Sequence, residues 1–143
     1  MSLWRREAIE RFPELRREIA DAEGTYIAWM ALWHGLFKPA YEKEPPDIET
    51  MARVYEYAAW SLKQHSDAVR LAVADEFYQR LADDPRTWRE VPRWISRETF
   101  DGLKFAWDYM DRKSYAALRR EFIENKSRID NEKKTQRSPS ASG

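Results

Sequence analysis

The chain contains no cysteine, which excludes disulfide scaffolds, thiol nucleophiles and cysteine-bound zinc. Glycine stands only at positions 24, 35, 102 and 143, so no glycine-rich loop is present to cradle a phosphate. Histidine is equally scarce. His34 and His65 lack the i, i+4 partner and adjacent glutamate of a zinc helix, and neither completes the Glu-x-x-His of a di-iron bundle. No serine sits in a nucleophile elbow. These absences point to a chain with no catalytic residues, no metal and no cofactor.

Long apolar runs are missing too. The longest, Tyr26 to Trp33, is less than half of the ~20 residues a membrane span needs. After Leu3 and Trp4 the N-terminus turns charged at Arg5, Arg6 and Glu7, without the apolar stretch of a signal peptide. A cytoplasmic protein with no membrane partner is the expectation. Net charge is zero, from 25 basic and 25 acidic residues. From Lys126 onward, however, five basic residues face two acidic ones, leaving a mildly acidic body. Such a body is a poor partner for nucleic acid, whose binding depends on phosphate neutralisation.

What is present is helical spacing in segment after segment, with no stretch of strand-like alternation. The pattern predicts an all-α fold of about seven helices arranged as antiparallel hairpins. A first helix follows Ser2 and a second opens at Pro13, carries Leu15, Ile19 and Ala22, and stops at Gly24. A third runs from Thr25 to Phe37 and is apolar almost all round, so it should form the core. Lys38 to Pro46 holds three prolines and reads as a loop. Asp47 can cap a fourth helix with Ile48, Met51, Tyr55, Ala58 and Leu62 on its stripe, and with Glu49 paired to Arg53. Ser66 caps a fifth, through Leu81, whose main stripe is Leu71, Ala74, Phe77, Tyr78 and Leu81, with Val69 and Val73 widening it. Asp83 to Ser96 reads as a long loop with one helical turn. Ser96 caps a sixth helix reaching Met110, and a seventh starts near Arg112 to Ser114. One domain over 1–126 and a flexible polar tail over 127–143 are expected.

Two hairpins resemble each other: Glu49-Thr50-Met51 recurs as Glu98-Thr99-Phe100 at an offset of 49, and Glu76-Phe77 recurs as Glu121-Phe122 at 45. The offsets are near those of two-helix repeats. A short HEAT-like stack and a compact irregular bundle both remain open.

Most carboxylates alternate with arginine, as in Arg5-Arg6-Glu7, Glu14…Arg17-Glu18 and Arg119-Arg120-Glu121, and read as exposed, ion-paired faces. The densest group, Asp75-Glu76 with Asp83-Asp84, reads as helix surface and turn rather than as an acid–base pair. Aromatics are the abundant class: seven Trp, seven Tyr and six Phe. Trp29, Trp60 and Trp107 fit apolar stripes; Trp33, Trp88 and Trp94 do not fit so simply. The loop Asp83-Asp84-Pro85-Arg86-Thr87-Trp88-Arg89-Glu90-Val91-Pro92-Arg93-Trp94 mixes Trp, Arg and Pro, the first two of which dominate interface hot spots. The competing explanation is that both tryptophans fold back to plug neighbouring helix ends.

Phe12-Pro13-Glu14-Leu15, Trp29-Met30-Ala31-Leu32-Trp33, Phe37-Lys38-Pro39-Ala40-Tyr41 and Asp83-Asp84-Pro85-Arg86-Thr87-Trp88 resemble an uncharacterised family of small all-helical bacterial proteins. The likeness covers about residues 12 to 122. It implies a toxin-immunity-like role and carries over no functional residues.

The function expected from this sequence is that of a non-enzymatic protein-binding module, an immunity protein blocking a toxin being its narrower form. Trp33, His34, Tyr41, Trp88, Arg89, Arg93 and Trp94 are the candidate partner-binding residues. The alternative is a small enzyme or ligand-binding protein with an aromatic pocket around Trp29, Trp33, His34 and Tyr55. A third possibility is a homo-oligomer whose aromatic patch is a self-interface.

Overall fold

A computed structural model describes residues 1–137 of the chain. Every regular element among them is helical, so the all-α expectation holds. The chain divides into two compact units, Met1–Arg80 and the remainder from Leu81, where the sequence suggests one domain over 1–126.

In the first unit, α1 (Leu3–Arg11) is followed by a 3₁₀ turn at Pro13–Leu15 and the short α2 (Arg16–Asp21). Arg5 secures this corner. One of its terminal guanidinium nitrogens donates to the carbonyls of Ile19, Ala20 and Ala22 at 2.7, 2.9 and 2.9 Å, at and just beyond the end of α2, where Ile19 O also accepts from Ala22 N. Next comes α3, residues 25–42, in which Thr25–Leu32, a π-helical turn over Trp33–Phe37, and Lys38–Glu42 follow without a break. The expected loop from Lys38 is therefore helical to Glu42. Pro39 is tolerated because it stands in the first turn after the π segment, where its missing N–H removes no α-helical bond.

Asp47 caps α4 (Ile48–Leu62), accepting from Thr50 N at 3.2 Å, and Ser66 caps α5, accepting from Val69 N at 3.3 Å. Helix α5 covers residues 67–83 and also contains a π turn, Ala74–Tyr78. That extra residue in the turn shifts the buried face. A straight helical stripe drawn back seven residues from Tyr78 lands on Leu71, yet Leu71 is exposed, while Val69 and Val73, expected to widen the stripe, are buried together with Ala72. Ile48, expected on the stripe of α4, is likewise exposed. Arg53 pairs not with Glu49 but with Glu14, through two bonds of 3.1 and 2.7 Å.

The core of this unit is aromatic. Phe77 is ringed by Trp29, Phe37, Tyr55 and Tyr78, at centroid distances of 5.3, 5.1, 5.1 and 5.1 Å. Helix α3 supplies much of it, as its composition suggests, but only from one side: Trp29, Leu32 and Phe37 are buried while Tyr26, Ile27 and Met30 are exposed.

In the second unit, Asp84 caps α6 (Pro85–Trp88), a 3₁₀ turn follows at Val91–Arg93, and Ser96 caps α7 (Arg97–Gly102). The loop thus holds two helical turns. The expected sixth helix to Met110 stops at Gly102, and Lys104–Trp107 is 3₁₀. With α7 six residues long against fifteen in α4, the two hairpins do not repeat one design. Finally α8 runs Arg112–Arg137. The tail expected from residue 127 is helical to Arg137, with Ile129 fully buried; its last part, 138–143, lies outside the described residues. No helix among the described residues is long and apolar enough to cross a membrane.

Candidate functional site: the groove beside Trp88

The Trp88 segment is built from strong local signals. Asp84 accepts from Arg86 N at 2.9 Å, and its carboxylate also takes the Arg86 guanidinium at 3.3 and 3.0 Å. The buried Thr87 hydroxyl lies 2.7 Å from Leu81 O, which closes the corner between α5 and α6. Trp88 then turns inward, only 3% exposed, with Trp107, Phe100 and Phe122 at 5.8, 5.9 and 6.1 Å. Of the two readings of this tryptophan, folding back is what occurs. Trp94 is half-buried.

Around the buried indole the surface is charged. Arg93 binds Glu90 and reaches across to Glu132 on α8 at 2.8 Å. Arg128 donates to Glu132 at 2.9 Å and to the Arg89 carbonyl at 2.8 Å. Hydrogen bonds from Arg93 and Arg128 hold the Glu132 carboxyl below the usual range, and its bonds to Glu90 and Glu132 push the Arg93 guanidinium up. The network fastens the loop to α8.

Beside it lies an open groove of about 400 Å³. Ala82, Pro85 and Trp88 line one side, Arg89 stands at the edge, and Glu121, Glu124 and Asn125 of α8 form the other wall. Arg89 is engaged with Glu90 at 3.5 Å. Glu121 and Glu124 form no ion pair or hydrogen bond among the described residues. The sequence places Glu121 in an ion-paired face with Arg119, but Arg119 turns to Asp101 at 3.5 Å. An i, i+3 pair of glutamates facing an apolar floor can take a cation whose stem covers that floor.

The structure separates the candidate residues. Trp88, Arg89, Arg93 and Trp94 belong to the second unit, with the first two lining the groove and Arg93 anchoring its loop. Trp33, His34 and Tyr41 belong to the first: Trp33 is 5% exposed under the Arg80 guanidinium, Tyr41 is half-buried and His34 is exposed. Of the alternative aromatic set, Trp29, Trp33 and Tyr55 are packed within the core around Phe77 rather than opened as a pocket, and His34 lies out of that packing. Sequence reading missed Glu121 and Glu124; their three-residue spacing was the available signal, masked by the arginines beside them. Among the described residues no group of three or more His, Asp or Glu could hold a metal ion.

The model of a family described as Domain of unknown function (DUF7674) matches residues 5–108, and the chain belongs to that family. The match includes Trp88 and its loop but ends before the α8 wall of the groove. No curated protein and no solved structure matches the chain.

Proposed function

We propose that this DUF7674 chain is a non-enzymatic protein-binding module of the cytoplasm, and that the groove beside Trp88 receives basic side chains of its partner. The observation carrying this reading is the pair of unpaired glutamates, Glu121 and Glu124, set across the groove from Ala82, Pro85 and Trp88. Interfaces combine a desolvated apolar floor with charges that steer and orient the partner, which is the composition of this groove. The Arg93–Glu132 and Arg128–Glu132 bonds support the reading too, since a surface held in place before binding loses less entropy on association. The mildly acidic body argues for a protein rather than a nucleic acid as partner. A toxin held in this way by a bacterial immunity protein is the narrower form of the proposal, and it rests on the sequence resemblance alone.

A photo-crosslinking residue at Arg89, compared with one at the exposed Glu10, tests the proposal in native cytoplasm. One discrete adduct at 89, absent at 10 and lost in Glu121→Lys/Glu124→Lys, is the expected result. No adduct, or the same adducts at both positions, overturns it.

A further inference from the structure

At the corner where the Lys104–Trp107 turn gives way to α8, the second unit holds a half-open pocket of about 180 Å³. Trp107, Met110 and Tyr115 form its apolar walls. The two rings are held in place from behind. Trp107 and Tyr115 both stack on the fully buried Phe100, with centroids 6.1 and 6.3 Å from it, and Met110 N donates to Trp107 O at 2.9 Å to close the intervening turn. Trp107 is 1% exposed, yet its indole N–H has no acceptor among the described residues, which is uncommon for a buried donor.

Four charged side chains complete the lining. The Asp111 carboxylate is occupied as the cap of α8, accepting from Ser114 N at 2.7 Å. Lys104, Asp108 and Arg112 are exposed, and their side chains form no ion pair or hydrogen bond among the described residues. Asp108 stands four residues from each of the two cations. Continuous α-helix would let such neighbours pair, but this stretch is 3₁₀ and turn, and no pair is made. Opposite charges thus border one small space without neutralising each other. A simple anion there meets a like charge at Asp108, and a simple cation meets two, whereas a molecule carrying both charges finds a partner for each. The space is below the roughly 300–1,000 Å³ of pockets for drug-sized ligands, so its occupant is small.

We propose that this pocket binds a free α-amino acid with an apolar side chain. Lys104 and Arg112 attract its carboxylate, Asp108 takes its ammonium group, and Trp107, Met110 and Tyr115 cover its side chain. The inference is independent of the groove beside Trp88, whose acidic wall is Glu121 and Glu124.

A nuclear magnetic resonance titration of the full chain with L-phenylalanine, following the Trp107 indole N–H, provides the test. The comparison ligands are 3-phenylpropionate and phenethylamine, each of which lacks one of the two charges. Solvent screens exposed charges, so L-phenylalanine should bind with a Kd of about 0.1–1 mM and each comparison ligand about tenfold more weakly. Asp108→Asn and Arg112→Met, both surface changes, should keep the helical circular dichroism spectrum of the parent and bind L-phenylalanine about fivefold to tenfold more weakly. The two variants should part on 3-phenylpropionate: Asp108→Asn should bind it no worse than the parent does, and Arg112→Met should bind it more weakly. No response to L-phenylalanine up to about 10 mM overturns the proposal, and so does a comparison ligand that binds as tightly as the amino acid. Variants that bind L-phenylalanine as well as the parent overturn it too, because the binding would then lie elsewhere.

Discussion

Phe100 and Phe122 stack with their ring centroids 4.6 Å apart and 17° between their planes. A helix of six residues such as α7 cannot persist on its own, because nucleation costs more than so few hydrogen bonds return. It is held by burial, and both rings are fully buried beside Trp88 and Trp107. Phe122→Ala should lower stability by about 3–5 kcal/mol, as for a large ring removed from a tight core. Urea unfolding followed by tryptophan fluorescence measures this, and a loss below about 1 kcal/mol would show that the rings do not hold the helix.

Ile129 makes a related point about α8. It is fully buried, and α8 packs on the Val91–Arg93 turn. Ile129→Ala should cost about 2–4 kcal/mol. Truncation after Asn125 should cost more, because it also removes Arg128 and Glu132 from the loop network. Equal stability of full-length and truncated chains would return residues 127–137 to the status of a tail.

The sequence was most legible where one local rule acts alone. The Asp47, Ser66 and Ser96 caps, the buried face of Trp29 and the all-helical class follow from spacing and capping chemistry. It was illegible where one extra residue enters a turn. The π turns at Trp33–Phe37 and Ala74–Tyr78 carry α3 past Pro39 and move Leu71 out of the core, and neither leaves a mark in a 3.6-residue period. Long-range ion pairing was hidden in the same way. Glu49 lies four residues from Arg53, yet Arg53 pairs with Glu14, whose geometry allows both guanidinium arms to bind. For the groove, the Trp88 and Arg89 side was visible in composition. The Glu121 and Glu124 side depends on where Arg119 goes.

Acid should unfold the chain through identifiable carboxyls. Hydrogen bonds from Thr50 hold the Asp47 carboxyl below its ordinary value, bonds from Ser114 do so for Asp111, and the Arg53 guanidinium does so for Glu14. A carboxyl with a lowered pKa in the fold binds fewer protons there than in the unfolded chain. Its contribution is therefore complete above the unfolded value of about 4 and is lost as pH falls through the folded value. The urea midpoint should be level from about pH 7 to 5 and fall steeply below that. Asp47→Asn with Asp111→Asn should flatten the fall, because asparagine still caps but does not titrate. An unchanged slope would remove these two caps from the explanation.

Tyr57 and Tyr78 are both almost fully buried, but only one of their hydroxyls is bonded. Tyr57 Oη donates to the Trp4 carbonyl at 3.0 Å, tying α4 to α1, whereas Tyr78 Oη has no partner among the described residues. The two Tyr→Phe changes should therefore differ in sign. Tyr57→Phe should cost about 0.5–1.5 kcal/mol for the lost bond. Tyr78→Phe should be neutral or stabilising, since a hydroxyl buried without a partner carries a desolvation cost that phenylalanine does not. Burial pushes both phenols above the ordinary tyrosine range. Their neutral forms thus favour the fold, with stability complete below about pH 10 and lost as pH rises beyond it. Each Phe variant should lose less stability than its parent between about pH 10 and 12, which a urea series across that range resolves. Equal costs for the two substitutions at pH 7 would mean that the Trp4 bond contributes nothing to holding α1 on α4.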